Sequence, residues 1–253
     1  MSSVISTGSA VELYARATPG FEARVNHAVA VLRQAAAEHP NGIVQVSSLG
    51  VEGMIITDMI ARHHLPIPVA TLNTGALHAQ TVQLISRIED RYGIDVEVYE
   101  PATEAVVHFV TKHGNDAMYR SVELRKNCCA IRKLEPMSRL VAGRDAWITG
   151  LRREQSAQRS EVSFQEIDAD GRVKFIPIAD WSWADVWHYV ATYDVPYNPL
   201  HDEFFPSIGC APCTRAIAVG EDSRAGRWWW EDETAKECGL HGATPEIVML
   251  PLR

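Results

Sequence analysis

An α/β fold, a mainly parallel sheet with flanking helices, is predicted by two features of this 253-residue chain. Short β-branched runs recur through its first 150 residues, and each leads into a turn and then a stretch with helical apolar spacing. Residues 20–38 place Phe21, Val25, Val29 and Leu32 on one helical face, and Pro40-Asn41-Gly42 stops that helix. The run 43–48 reads as a strand opening onto the turn Leu49-Gly50-Val51-Glu52-Gly53, with a helix expected from Met54 to His63. The pattern repeats as a strand at 67–73, a turn at Thr74-Gly75, a helix at about 78–92 and a strand at 95–100.

Residues 103–142 read as helical pieces interrupted near Gly114-Asn115, and 146–150 supplies another buried strand. Two further strands are expected to flank Asp170-Gly171, a good hairpin turn. Ser182 is placed to cap a helix containing Trp183, Val186, Trp187 and Val190 that ends at Asp194-Val195-Pro196. Beyond it, Pro199, Pro206, Gly209 and Pro212 leave little regular structure. Without a repeat or an evident linker, the expectation is one domain over 1–253 with an irregular C-terminal extension at 215–253.

With 46% hydrophobic and 22% charged residues the composition is that of a globular protein with a core to bury. The start lacks a basic segment followed by an apolar one, and no run approaches a bilayer-spanning length, so the expected location is cytoplasmic with no membrane partner. A net charge of −8 argues against nucleic acid as a partner. The balance is uneven, because Arg120 to Arg159 carries +6 and the remainder −14. One region is built to meet an anion. In open parallel sheets ligands bind where the strands' carboxyl ends meet their loops. That rule makes neighbours of Ser47-Ser48-Leu49-Gly50-Val51-Glu52-Gly53, Asn73-Thr74-Gly75 and Gly150-Leu151-Arg152-Arg153, a set of N–H groups, hydroxyls and arginines suited to a nucleotide.

Five cysteines without an export signal point to metal binding or catalysis rather than a disulfide framework. Cys128-Cys129 and Cys210-Ala211-Pro212-Cys213 together offer four thiolates, enough for a zinc site or an iron–sulfur cluster. A tandem Cys-Cys is an awkward half of a tetrahedral zinc site because adjacent side chains diverge. A larger centre tolerates that spread better, and buried inert cysteines are the third reading. Cys238, in Lys236-Glu237-Cys238-Gly239-Leu240-His241, stands apart; it is the candidate nucleophile, the other reading being an incidental exposed thiol.

Taken together, SSLGVEGM (47–54), TLNTGALH (71–78), CCAIRK (128–133), TGLRREQSAQRS (149–160), GCAPCTR (209–215), GRWWWE (226–231) and KECGLH (236–241) resemble the assimilatory sulfonucleotide reductases, in the iron–sulfur branch that reduces adenosine 5′-phosphosulfate (APS). The resemblance runs in order over most of the chain from about 40 to 241. It implies a fold like the adenine-nucleotide α-hydrolase group with a modified PP-loop at 47–53, Ser47 and Gly50 meeting the substrate. It further implies a [4Fe–4S] cluster on Cys128, Cys129, Cys210 and Cys213, and substrate cations at Lys133, Arg159, Arg224 and Arg227. Cys238 would attack the sulfur of APS, expel AMP and become an S-sulfocysteine, from which a thioredoxin or glutaredoxin releases sulfite. His241 would shape the tail, with Glu237 a weaker candidate, and a homo-oligomer is common in the family.

Three residues depart from the family's pattern: Leu49 where a small or hydroxyl residue is common, Gly53 where an acid or Ser is, and Asn73 where Asp is frequent. Trp228-Trp229-Trp230 cannot share one face of a regular element and are read as packing for the extension. Rival readings are the same chemistry on 3′-phospho-APS, whose enzymes generally lack the four cluster cysteines, and a non-catalytic metal-stabilised nucleotide-binding module. An ATP-dependent PP-loop enzyme is disfavoured by the lean loop.

Overall fold

The computed structural model describes residues 8–232. The chain opens with α1 (Ala10–Tyr14) and α2 (Phe21–Glu38), then alternates through β1 (Ile43–Ser47), α3 (Val51–Arg62), β2 (Val69–Leu72), α4 (Ala79–Tyr92), β3 (Val96–Tyr99) and α5 (Thr103–His113). Next come α6 (Val122–Cys129), a π-helical stretch at Ala130–Leu134, α7 (Glu135–Val141), β4 (Ala146–Ile148), β5 (Gln165–Ile167), β6 (Val173–Phe175) and α8 (Trp183–Tyr193).

The six strands line up in the order β3-β2-β1-β4-β6-β5, all parallel except the edge strand β5. Strand order reverses beside β1, whose neighbours β2 and β4 lead away in opposite directions, and this is where ligand crevices form in such sheets. Alternation along the strands separates the two faces. Ile43, Val69, Ala146 and Ile148 join the core built with α2, α3, α4 and α8, whereas Val44, Ala70 and Trp147 pack against Leu140 and Val141 of α7. A third apolar lobe gathers Phe109, Met118, Cys128, Cys210, Cys213 and Trp228. Among the described residues no helix is long and apolar enough to cross a membrane.

The α8 start follows the sequence expectation: Ser182 Oγ accepts from Asp185 N (3.1 Å) while Asp185 Oδ2 accepts from Ser182 N (2.9 Å), and Asp194 ends the helix in the left-handed region. The helix after β1 differs, starting at Val51 rather than Met54 and so taking Glu52 and Gly53 into its first turn. Gly53 is no breaker here. A Cβ at that position would stand 2.5 Å from Ser47 Oγ, so glycine lets the helix settle against the end of β1. The short α1 escaped notice because five residues carry little periodicity.

The turn itself bends at Leu49, with φ 58°, a conformation that costs a non-glycine residue about 1–2 kcal/mol. Leu49 is 1% exposed within the main core, and burying such a side chain returns about 1.5–3 kcal/mol. The two terms are comparable, which explains how a bulky residue holds a left-handed position. Leu49→Ala keeps the backbone cost and loses the burial, so urea unfolding should show a loss of about 2–5 kcal/mol. Leu49→Gly should lose about 1 kcal/mol less, since it also relieves the backbone; a glycine variant less stable than the alanine variant would contradict this account.

Candidate active site

A cavity of about 390 Å³ opens at the carboxyl ends of β1, β2 and β4. Its walls include all six residues singled out for substrate contact: Ser47, Gly50, Lys133, Arg159, Arg224 and Arg227, with Cys210 beside them. They come from separate parts of the chain. Ser47 ends β1, where its hydroxyl accepts from Leu49 N (3.2 Å) and shapes the loop. Lys133, only 9% exposed, projects from the π-helical stretch after Cys128-Cys129. Arg224 and Arg227 arrive from the irregular segment that follows Cys213. Arg227 lies over Gly209, where any Cβ would collide with its guanidinium.

The floor is a polar network joining the β1–α3 loop to the loop after β4, two segments that the sequence makes neighbours without showing their pairing. Arg152 pairs with Glu52 through Nε (3.1 Å) and Nη2 (3.0 Å), and Gln155 Nε2 donates to the same Glu52 oxygen (3.0 Å). Arg159 Nη1 in turn donates to Gln155 Oε1 (2.6 Å), so the candidate anion ligand belongs to a chain of contacts running back to the β1–α3 loop. Burial alone would raise the Glu52 carboxyl, yet the Arg152 charge and the Gln155 hydrogen bond hold it below the usual carboxylate range. Arg153, next in sequence, turns away to donate to Val162 O (2.8 Å) and cover Phe164. The Arg-Arg pair was visible in the sequence; which arginine faces inward was not. Glu52 itself reads in the sequence as one residue of a turn, with nothing local to mark its partner.

Asn73 does not line the cavity. Its amide donates to Glu100 (2.7 Å) and its oxygen accepts from Gly75 N (3.2 Å), an Asx turn that shapes the β2–α4 loop. The next residue, Thr74, does line the cavity and shares a hydrogen bond with Cys210 Sγ at 3.2 Å. Arg132 Nη1 donates to Thr74 O (2.7 Å), and Ala211 N donates to Ala76 O (2.8 Å). The β2–α4 loop and the cysteine lobe are therefore sewn together.

Cys128, Cys129, Cys210 and Cys213 are all buried, and none is in a disulfide. Cys128 and Cys129 end α6 at its junction with the π-helical stretch, a widened turn of a kind often found at functional sites. Burial pushes the Cys213 thiol up to about 12, helped by the Cys210, Cys129 and Cys128 sulfurs and opposed by Lys133. Burial raises Cys128 as well, against the pull of Arg132 and Lys133. Buried cysteines whose neighbouring sulfurs favour the protonated forms of Cys128 and Cys213 are a donor set suited in kind to a thiolate-bound metal centre, whose positive charge reverses that tendency. Among the described residues no group of three or more His, Cys, Asp or Glu is arranged to hold a single metal ion. Cys238, Glu237 and His241 lie outside the described residues.

Trp228, Trp229 and Trp230 part company. Trp228 is buried against the cysteine lobe, Trp229 is exposed, and Trp230 stands edge-on to Tyr119 at 4.5 Å between ring centres. His201, 5% exposed, lines the cavity beside the Trp187 and Trp183 rings, another residue that no motif announced.

A parallel α/β sheet that converges hydroxyls, backbone N–H groups and arginines on its switch point defines a nucleotide- or anion-binding protein, here with a thiol-rich lobe sewn to the site. Comparison with known proteins narrows this class. The phosphoadenosine phosphosulfate reductase domain matches residues 42–216, and the chain belongs to that family. An adenosine 5′-phosphosulfate reductase from Burkholderia cepacia is 50% identical over 241 residues, covering 95% of this chain and 94% of that protein. The crystal structure of phosphoadenylyl-sulfate reductase from Candida auris, a phosphate complex, superposes with a TM-score of 0.63 at 26% identity, covering 78% of this chain and 98% of that one. Candida glabrata FMN adenylyltransferase shares the fold alone, with a TM-score of 0.56 at 14% identity over 92% of this chain and 83% of that one.

Burial holds the His201 imidazole down to about 4, only partly offset by the Glu52 carboxylate. In the unfolded chain it would protonate near the ordinary histidine value of ~6.5, so the unfolded state binds more protons between those values. Stability therefore falls as pH drops from about 6.5 toward 4, by on the order of 3 kcal/mol from this residue. His201→Gln should flatten that part of the stability profile in urea titrations at stepped pH; an equally steep profile would refute the assignment.

Proposed function

We propose that this chain reduces adenosine 5′-phosphosulfate to sulfite and AMP, with Cys238 as nucleophile and a thioredoxin-type dithiol as reductant. The observation that carries the reading is the single cavity lined by Ser47, Gly50, Lys133, Arg159, Arg224 and Arg227 at the switch point of the sheet. The named APS reductase of B. cepacia, similar over nearly its whole length, supports the substrate. The chemistry then follows from charge. The Cys238 thiolate forms a bond to the sulfur of the phosphosulfate as the sulfur–oxygen bond to AMP breaks, leaving an S-sulfocysteine.

Negative charge builds on the departing phosphate oxygen and stays on the sulfonate. Lys133, Arg159, Arg224 and Arg227 meet that charge from several sides, in a cleft where desolvation strengthens each contact. The β1–α3 loop offers the Ser47 hydroxyl and backbone N–H groups at the start of α3 to the phosphate. One thiol of the dithiol then attacks the Cys238 sulfur and expels sulfite. The second thiol resolves the mixed disulfide, so that the dithiol ends oxidised and Cys238 returns as a thiol. Cys128, Cys129, Cys210 and Cys213 would hold a [4Fe–4S] cluster, which when bound supplies a fixed charge beside the anion site and carries no electrons in this scheme.

Incubating iron-replete protein with APS and no reductant should give one equivalent of AMP and a mass gain of about one SO₃ confined to Cys238. An adduct on another residue, or none, would sink the nucleophile assignment, and Cys238→Ser should abolish sulfite release. Lys133→Ala should lower kcat/KM for APS by about 100-fold. Iron and acid-labile sulfide should be present in equal amounts and unchanged in that variant; stoichiometric zinc in their place would overturn the cluster.

A further inference from the structure

One wall of the cavity carries a polar side chain that the charges of the site leave unused. His201 lies in a short 3₁₀ segment, Pro199–Glu203, that is pinned on both sides. Before it, Asn198 Oδ1 accepts from Leu200 N (3.1 Å) while the Asn198 amide donates to Thr81 Oγ1 (2.7 Å). After it, Asp202 Oδ1 accepts from Ala10 N (2.7 Å) and from the Tyr197 hydroxyl (3.0 Å). The imidazole stands edge-on to the Trp187 and Trp183 rings, at 5.3 and 6.3 Å between centres, so packing fixes its plane. It is 5% exposed and lines the cavity. Among the described residues neither ring nitrogen makes a hydrogen bond of good geometry, although the Phe205 backbone lies close enough to favour an N–H on one of them. Buried polar atoms are almost always satisfied, so an unpaired one in a cavity wall points to a bound partner.

Burial keeps this ring neutral at neutral pH, and a neutral imidazole has one donor nitrogen and one acceptor nitrogen. With its N–H toward Phe205, the acceptor is left for the cavity. An acceptor needs a donor, and the phosphosulfate has none to give, since its oxygens carry charge and no proton. That anion is matched instead by Lys133, Arg159, Arg224 and Arg227. Carboxylate oxygens on the same wall are committed to internal donors: Glu52 Oε1 accepts from Arg152 and Gln155, and Glu154 Oε2 from Arg152 and Trp183 N. We propose that His201 is a nucleoside-recognition residue, its acceptor nitrogen taking a hydrogen bond from an uncharged donor of the substrate, a ribose hydroxyl or the exocyclic amine of the base. The proposal rests on the nucleotide reading of the cavity and adds a contact to the half of the substrate that the cations cannot read.

Equilibrium binding to the iron-replete protein tests this with AMP, 2′-deoxy-AMP, 3′-deoxy-AMP and inosine 5′-monophosphate, which lacks the amine. Against AMP, one of the three analogues should bind the unaltered protein about 10-fold more weakly, because it leaves the buried acceptor unpaired. That penalty should vanish in His201→Phe, where no acceptor remains, and the analogue concerned identifies the donor. Inorganic pyrophosphate, which offers the two linked anions without a nucleoside, should bind both proteins equally. A penalty of the same size in His201→Phe, as a buried water on the ring would give, overturns the proposal. So does the absence of a penalty in the unaltered protein, or a loss of pyrophosphate affinity equal to the loss for AMP. Should His201→Phe fail to fold, the ¹⁵N resonances of the His201 ring in the unaltered protein decide: AMP must shift them more than the weakened analogue does, and no shift with AMP overturns the contact. A failure of AMP to bind the unaltered protein at all would instead overturn the nucleotide reading, and the role of His201 with it.

Discussion

Three sulfurs shut away from water in one apolar lobe, with that of Cys129 buried next to Cys128 in the chain, impose a demand for positive charge, and much of the architecture answers it. Buried thiols disfavour one another's ionisation, so the lobe accepts thiolates only where cations or a metal centre offset them. Arg125 shares α6 with Cys128 and Cys129, Arg132 and Lys133 follow on the π-helical stretch, and Lys133 also lines the cavity. Charge that steadies the sulfurs is therefore charge available to a bound anion. The contacts from Thr74 to Cys210 and from Arg132 to Thr74 make the loop and the lobe mechanically one piece.

The sheet supplies the other half of the site at little added expense. Parallel strands place β1, β2 and β4 side by side, and their outgoing loops meet without any residue having to reach far. Close approach is then limited by side-chain bulk. Gly53 leaves space for the Ser47 hydroxyl, and a left-handed Leu49 is tolerated because its side chain is buried deeply enough to offset the backbone cost. The Glu52–Arg152–Gln155 floor then holds Arg159 from behind, so this cation is braced rather than dangling. Breaking a buried pair of this kind by removing one partner costs about 3–5 kcal/mol, so such pairs resist rearrangement even where their net contribution to stability is small.

Local patterning was enough to read the α/β class, the strand positions, the capped start of α8 and the convergence of the β1, β2 and β4 loops, because period and turn chemistry are properties of neighbouring residues. Element edges were less legible. Gly53 looks like punctuation in a sequence and proves to be a helix residue, since the space it vacates belongs to Ser47, on another element.

What the chain's letters determined by themselves was a repertoire: a parallel sheet, loops suited to an anion, and five cysteines, four of them in two close pairs. Which members of that repertoire meet was decided only in three dimensions. Arg152 faces the floor while Arg153 faces Phe164, Asn73 shapes a turn while Thr74 lines the cavity, and Arg125 finds Glu231 across 106 positions of sequence. The reason is physical. Neighbouring side chains of similar chemistry are indistinguishable until packing assigns one to a desolvated interior and the other to the surface, and an ion pair between distant residues leaves no local pattern.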